Sequence, residues 1–172
     1  MPAAIGQHGA VLRVILAGAA LRRHAYLRMV LAPDGVADGA LVVGAVQVLL
    51  AVPGILRGTG LLALVWSVVG GVFGWLVLAG LVYLAGRHVL GGAGTFPGVA
   101  AASALAFPPL LTALVLRLVL DPFLALLAAS VWSLACLEQA TRVALELPPA
   151  RAAIAVAVGY GGWLLLTSVS SL

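Results

Sequence analysis

The chain has 172 residues, 64% hydrophobic and 8% charged, and its formal net charge of +4 sets nine arginines against five acids, lysine being absent. Soluble domains carry roughly 25% charged residues, and a water-soluble fold this small leaves too much of its surface wet to hide so apolar a composition. Composition therefore excludes a soluble globular domain. It makes anionic lipid headgroups, rather than nucleic acid, the nearer partner for the basic excess.

The arginines divide the sequence into five uncharged runs, 39–56, 58–86, 88–116, 122–137 and 152–172. About 20 apolar residues of helix cross a hydrocarbon layer about 30 Å thick, so most of these runs can span a bilayer. On the resulting zigzag Arg13, Arg22, Arg23, Arg28, Arg87, Arg142 and Arg151 fall on one side, and only Arg57 and Arg117 on the other. The positive-inside rule then places the amino terminus in the cytoplasm and the carboxyl terminus outside. The expected architecture is an all-α integral membrane protein. Residues 1–37 form a cytoplasmic amphipathic segment and residues 38–172 a five-span helical domain.

Residues 1–37 do not have the order of a secretory signal, because Arg13 interrupts the apolar core and Arg22, Arg23 and Arg28 follow it. At 100° per residue Arg13, Arg23, His24 and Arg28 gather on one arc, and Val11, Leu12, Ile15, Tyr26, Met29 and Val30 on the other, with Arg22 as the exception. The spacing predicts an amphipathic helix over 9–31, ended by Pro33, lying in the membrane interface. The alternative is a helix that merely covers the inner ends of the bundle.

The first span is expected over 38–52, stopping at Pro53-Gly54, and the second over 61–85. In the second, Gly70 and Gly74 form a small-xxx-small pair that suggests close helix packing. A loop follows, Arg87-His88-Val89-Leu90-Gly91-Gly92-Ala93-Gly94-Thr95-Phe96-Pro97, whose glycines permit positive φ and whose proline suits a first helical turn. It is not a phosphate loop, since no lysine precedes Thr95 and no strand leads into it.

Pro108 and Pro109 stand near the middle of the third span, 98–119, where each removes a backbone donor and should kink or break the helix. The carbonyls freed near Ala104 and Leu105 then need partners, from Ser103, Thr112 or a neighbouring helix. Such a break can mark a transport site or simply shape packing. Asp121-Pro122 opens the fourth span as a cap and first-turn pair. Its uncharged part is short, so Asp121 is expected to snorkel outward or pair with Arg117, or the bilayer to thin locally. Glu138 and Arg142 are spaced for an i,i+4 pair on a cytoplasmic extension of that helix, which Pro148-Pro149 ends. Arg151 anchors the fifth span.

Chemistry is sparse. No ionisable side chain falls near a span's midplane, and Gln47, the most polar residue within a span, reads as a helix–helix hydrogen bond. Cys136 is the single cysteine and should lie near the cytoplasmic face. His8, His24 and His88 share no metal-binding face, and Ser103, Ser130 and Ser133 have no histidine beside them in the membrane. The expectation is a protein without catalytic residues, metal or cofactor. Asparagine is absent along with lysine, and both use adenine-rich codons. A GC-rich genome follows, and with it an expected bacterial plasma membrane.

The lead-in, the five spans, the Gly91-Gly92-Ala93-Gly94-Thr95-Phe96 turn, the later Pro108 or Pro109 and the Arg151-Ala152 pair together resemble the YIP family of Ypt-interacting-protein-like membrane proteins. The likeness covers roughly 29–170. Where eukaryotic members carry an acidic-leucine-tyrosine-glycine-proline signature, this chain has Ala32-Pro33-Asp34-Gly35. The resemblance thus implies the architecture rather than GTPase binding, and it marks Gly91, Gly92, Gly94, Thr95, Phe96, Pro108, Pro109 and Arg151 as candidate residues. The function expected is a membrane adaptor or bilayer-shaping protein, acting on anionic lipid and on a protein partner or a second copy of itself. A small-solute or lipid transporter gated at Pro108-Pro109 is the alternative.

Overall fold

A computed structural model describes residues 13–169, all helices and connections with no strand among them. In chain order these are α1 (residues 13–19), α2 (Arg23–Leu31), α3 (Gly35–Leu56), α4 (Gly60–Leu84), α5 (Phe96–Ser103), α6 (Thr112–Leu116), α7 (Pro122–Leu145) and α8 (Pro149–Val169). A π-helical turn, Ala85–Val89, extends α4. Five segments are long and apolar enough to cross a membrane: Gly35–Leu56, Gly60–Val89, Phe96–Leu116, Pro122–Leu145 and Pro149–Ser168. All five expected spans are therefore present.

The third span is the axis. More than half of its apolar stretch, 56%, is buried, against 11–28% for the others. Its sequence explains why: Gly98, Ala100, Ala101, Ala102, Ser103, Ala104 and Ala106 have side chains small enough for other backbones to approach closely. Glycines on α3 answer them. A Cβ at Gly39 would stand 3.1 Å from the Cβ of Ala104 and 3.0 Å from the Trp75 ring. Trp75, almost fully buried, donates its indole N–H to Ser103 Oγ at 3.0 Å, and Ser103 donates to the Ala100 carbonyl at 2.9 Å. Between them the two side chains satisfy every polar atom they bring inside.

The prolines break this axis as the sequence predicts. Ala104–Ala106 and Pro108–Leu111 are short 3₁₀ turns on either side of Phe107. Tightening the ladder gives the Ala104 carbonyl the Phe107 N–H at 3.2 Å in place of the donor that Pro108 lacks. The Ala106 carbonyl receives the hydroxyl of Ser133 from α7 at 2.6 Å, and Thr112 donates to the Pro109 carbonyl at 2.6 Å. Of the partners expected for the carbonyls near Ala104 and Leu105, a neighbouring helix reaches the adjacent Ala106 through Ser133, whereas Ser103 serves Ala100 and Thr112 serves Pro109 instead.

The single helix expected over 9–31 is two helices where described; Val11 and Leu12 lie outside the described residues. The chain turns at Leu21, a non-glycine residue at φ 57°. Tertiary contacts explain the turn. Gly18 lies against Leu105, and the last carbonyls of α1 are capped from outside the helix. Tyr26 Oη donates to Gly18 at 2.7 Å, Trp132 Nε1 to Ala19 at 2.9 Å, and Cys136 Sγ approaches Gly18 at 3.8 Å. Burial raises the Tyr26 phenol well above its ordinary pKa, so it stays a neutral donor.

Other boundaries shift for local reasons. Pro53 does not end α3, which runs on to Leu56: its missing N–H deprives only the Leu49 carbonyl of its usual donor. Asp121 neither pairs with Arg117 nor needs to: its Oδ1 accepts the Phe123 N–H at 2.8 Å as the cap of α7. Helix α7 continues beyond the uncharged run to Leu145 and carries the Glu138–Arg142 pair at 3.7 Å. Around Gly70 and Gly74 the close approach is to side chains, Gln47 lying across Gly71 and Trp163 Nε1 standing 3.5 Å from a Cβ at Gly74, while backbone meets backbone elsewhere. A Cβ at Gly159 of α8 would come within 2.9 Å of the Val82 backbone, whereas one at Gly70 would meet nothing within 4 Å.

Replacing Ser133 by alanine strands the Ala106 carbonyl in an apolar setting. The expected cost is about 1 kcal/mol, a fall of about 2–4 °C in the thermal midpoint of the detergent-solubilised protein. Ser133→Thr, which keeps the hydroxyl, should retain most of the stability.

Candidate functional site

The glycine-rich turn is a clasp between the ends of α4, α5 and α7. Leu90 N–H closes the π-helical turn on the Ala85 carbonyl at 3.1 Å, and Gly92 N–H reaches Gly86 at 2.9 Å. Gly91 then takes φ 74°, a conformation that side chains resist. Ala93 N–H donates to the Leu145 carbonyl at 2.9 Å, tying the loop to the last turn of α7. Gly94 passes so close to the Ala144 carbonyl that any Cβ there would overlap it. Helix α7 ends at that spot with Glu146 at φ 55°.

Arginines fasten the outside of the clasp. Arg87 Nη1 donates to the Gly92 carbonyl at 2.6 Å, and Arg151, from the first turn of α8, reaches the Leu90 carbonyl at 3.4 Å. Thr95 caps α5 through the Gly98 N–H at 3.4 Å. Phe96 stands edge-on to Tyr83 at a centroid distance of 6.0 Å, and Tyr83 stands edge-on to His88 at 5.9 Å. Gly91, Gly92, Gly94, Thr95, Phe96 and Arg151 are therefore neighbours. Gly92 and Ala93 donate their N–H groups to protein carbonyls, so this turn acts as a joint that fixes helix ends.

Pro108 and Pro109 belong to a different place. Beside their break lies a cavity of ≈ 350 Å³, walled by α3, α4, α7, α8 and the 3₁₀ segment, with Gln47, Phe107, Ser130, Tyr160 and Trp163 among its lining. Gln47 does not make the helix–helix hydrogen bond expected of it. Its stem lies across Gly71, where any Cβ would collide with it, and its amide has no partner among the described residues. The sequence signal was present, an amide in an apolar span. Nothing in the sequence tells which helices wall a space around it.

Gly94→Ala should disrupt the clasp, costing at least about 1–3 kcal/mol because Ala144 offers backbone rather than a movable side chain. The folded yield after detergent extraction and the thermal midpoint would both fall. Gly161→Ala, with nothing within 4 Å of the added methyl, serves as the neutral control.

The Yip1 domain family profile matches residues 11–171. No curated protein and no solved structure gives a significant match. With the profile running from α1 through the end of α8, this five-span membrane protein belongs to the Yip1 domain family.

Proposed function

We propose that the protein is a non-enzymatic membrane adaptor that shapes or organises the leaflet on its amino-terminal side, taken as the cytoplasmic leaflet from the arginine distribution. The observation that carries this reading is the α1–α2 elbow. Leu16, Leu21, Leu27 and Leu31 are 61%, 41%, 37% and 78% exposed there, and Arg13, Arg22, Arg23 and Arg28 are exposed among them. Leucines so displayed suit acyl chains, and the guanidinium groups suit lipid phosphates.

The depth of the elbow supports the same reading. Its capping partners Cys136 and Trp132 stand two and six residues inside Glu138, where the uncharged run of α7 begins. At 1.5 Å per residue the elbow sits about 3–9 Å below that boundary, the depth at which interfacial helices bury their apolar faces. Tyr26 and the two α7 side chains hold the wedge rigidly to the bundle, so its insertion can bend the leaflet instead of floating in it.

Removing residues 1–31 would be an unsound test, because Tyr26 and Met29 are part of the core. Exposed positions are better. Proteoliposomes rich in anionic lipid, imaged by cryo-electron microscopy, should shrink or tubulate with the native chain. The double variant Leu16→Gln with Leu31→Gln should lose that effect, and so should Arg22→Gln with Arg23→Gln, which gives up about 2 kcal/mol of attraction to an anionic surface. Unaltered vesicle shapes with the native chain, or full activity of both variants, would overturn the reading.

The transporter gated at Pro108-Pro109 is the second reading, supported by the cavity beside the break. It requires solute flux in proteoliposomes that disappears when both prolines are replaced by leucine. An absence of flux with the native chain removes it.

A further inference from the structure

The cavity beside the helix break gathers polar groups that the protein itself leaves unpaired. The Gln47 amide, the Ser130 and Tyr160 hydroxyls and the Trp163 indole N–H all line it, and none has a hydrogen-bond partner among the described residues. They come from three different helices, α3, α7 and α8. Gln47 lies nine residues from the end of α3 at Leu56, and Ser130 lies eight from the start of α7 at Pro122. At 1.5 Å per residue both are about 12–14 Å from the face that carries Arg57 and Arg117, well within a hydrocarbon layer about 30 Å thick.

These atoms are accessible rather than sealed in protein, so at this depth in a membrane their hydrogen bonds must come from whatever fills the space. No charged side chain lines the cavity, so an ionised group would find no counterion there. The remaining wall is apolar, including Leu78, Ala106, Phe107, Leu110 and Leu134. Its volume falls at the small end of the range for ligand sites, enough for one short apolar chain with a compact head. Glycine keeps the site open: any side chain at Gly71 would displace Gln47, and Gly70 and Gly74 border the space without filling it.

We infer that this cavity is an intramembrane binding site for an uncharged single-chain amphiphile. Its hydroxyl or carbonyl head pairs with two or three of the groups on Gln47, Ser130, Tyr160 and Trp163, Gln47 and Tyr160 among them, and its chain lies against Phe107 and the leucines. Gln47 is the principal recognition residue, since its amide offers a carbonyl acceptor and an NH₂ donor on separate atoms. The site is independent of the leaflet-shaping reading, which rests on the opposite end of the molecule.

The test uses the full chain in lipid nanodiscs and a photoactivatable diazirine analogue of a medium-chain fatty alcohol, with crosslinks mapped by mass spectrometry. The expected result is saturable labelling of cavity-lining residues, competed by the unlabelled alcohol but not by the fatty carboxylate or the alkane of equal length. Gln47→Leu and Tyr160→Phe should each weaken that labelling about threefold to tenfold. Tyr160→Phe removes a single oxygen, so it decides the matter if the bulkier change at Gln47 impairs folding. Labelling that does not saturate would overturn the inference. So would equal competition by the carboxylate or the alkane, or undiminished labelling of a folded Tyr160→Phe. In those cases the cavity holds water or bulk lipid, and the vesicle-shape experiment stands unaffected.

Discussion

A main chain that leaves its helix where water is scarce must find its hydrogen bonds inside the protein, and the irregular stretches of this chain do so through identifiable donors. At the Pro108-Pro109 break, Phe107 N–H, Ser133 and Thr112 take up the carbonyls of Ala104, Ala106 and Pro109. At the end of α1 the donors are Tyr26 and Trp132, and at the glycine-rich turn they are Gly92, Ala93 and Arg87. Three of these repairs join elements distant in sequence: Ser133 to Ala106, Trp132 to Ala19 and Ala93 to Leu145. Hydrogen bonding that would be routine within a helix becomes, at the breaks, what fixes one helix against another.

Close approach is the second requirement, and small residues meet it. The third span buries a run of alanines and one serine, so α2, α3, α4 and α7 can all lie against it. Glycines are used where backbone meets backbone, as Gly94 meets Ala144 and Gly159 meets Val82. Lipid tails are as apolar as leucine, so burying large side chains offers little in a membrane; dispersion between closely packed backbones and small side chains takes that role. Many large apolar residues are accordingly turned outward: Leu61, Leu62, Phe73, Leu118 and Phe123 are each about two-thirds or more exposed.

The two ends of the bundle differ in character. The amino-terminal end is densely tied, with the elbow, the glycine clasp and the α7–α8 turn all packed together, and it carries most of the arginines. The other end joins α3 to α4 and α6 to α7 by short turns holding Arg57 and Arg117, and it contains the cavity. An adaptor needs one rigid surface to present, and an amphiphile site needs one accommodating space. The break at Pro108-Pro109 separates the two, ending the close-packed alanine run just where the cavity begins.

Composition and charge order by themselves determined the medium, the number of spans and their approximate limits, because burial in lipid requires long uncharged runs whatever their neighbours are. The broken third span was equally legible, since a proline lacks its N–H in any context. So was the strain-tolerant glycine turn. What it grips was not, because Gly94 meets Ala144 only once α7 has folded back beside it. The α1–α2 elbow was hidden for the same reason: only Arg22 departs from the helical periodicity, and the turn at Leu21 is fixed by Leu105, Trp132 and Cys136, more than 80 residues away. Gln47 shows the limit most directly. An amide in an apolar span is visible in the sequence, but whether it meets a partner or an open space depends on how five helices close around it, and only tertiary packing decides that.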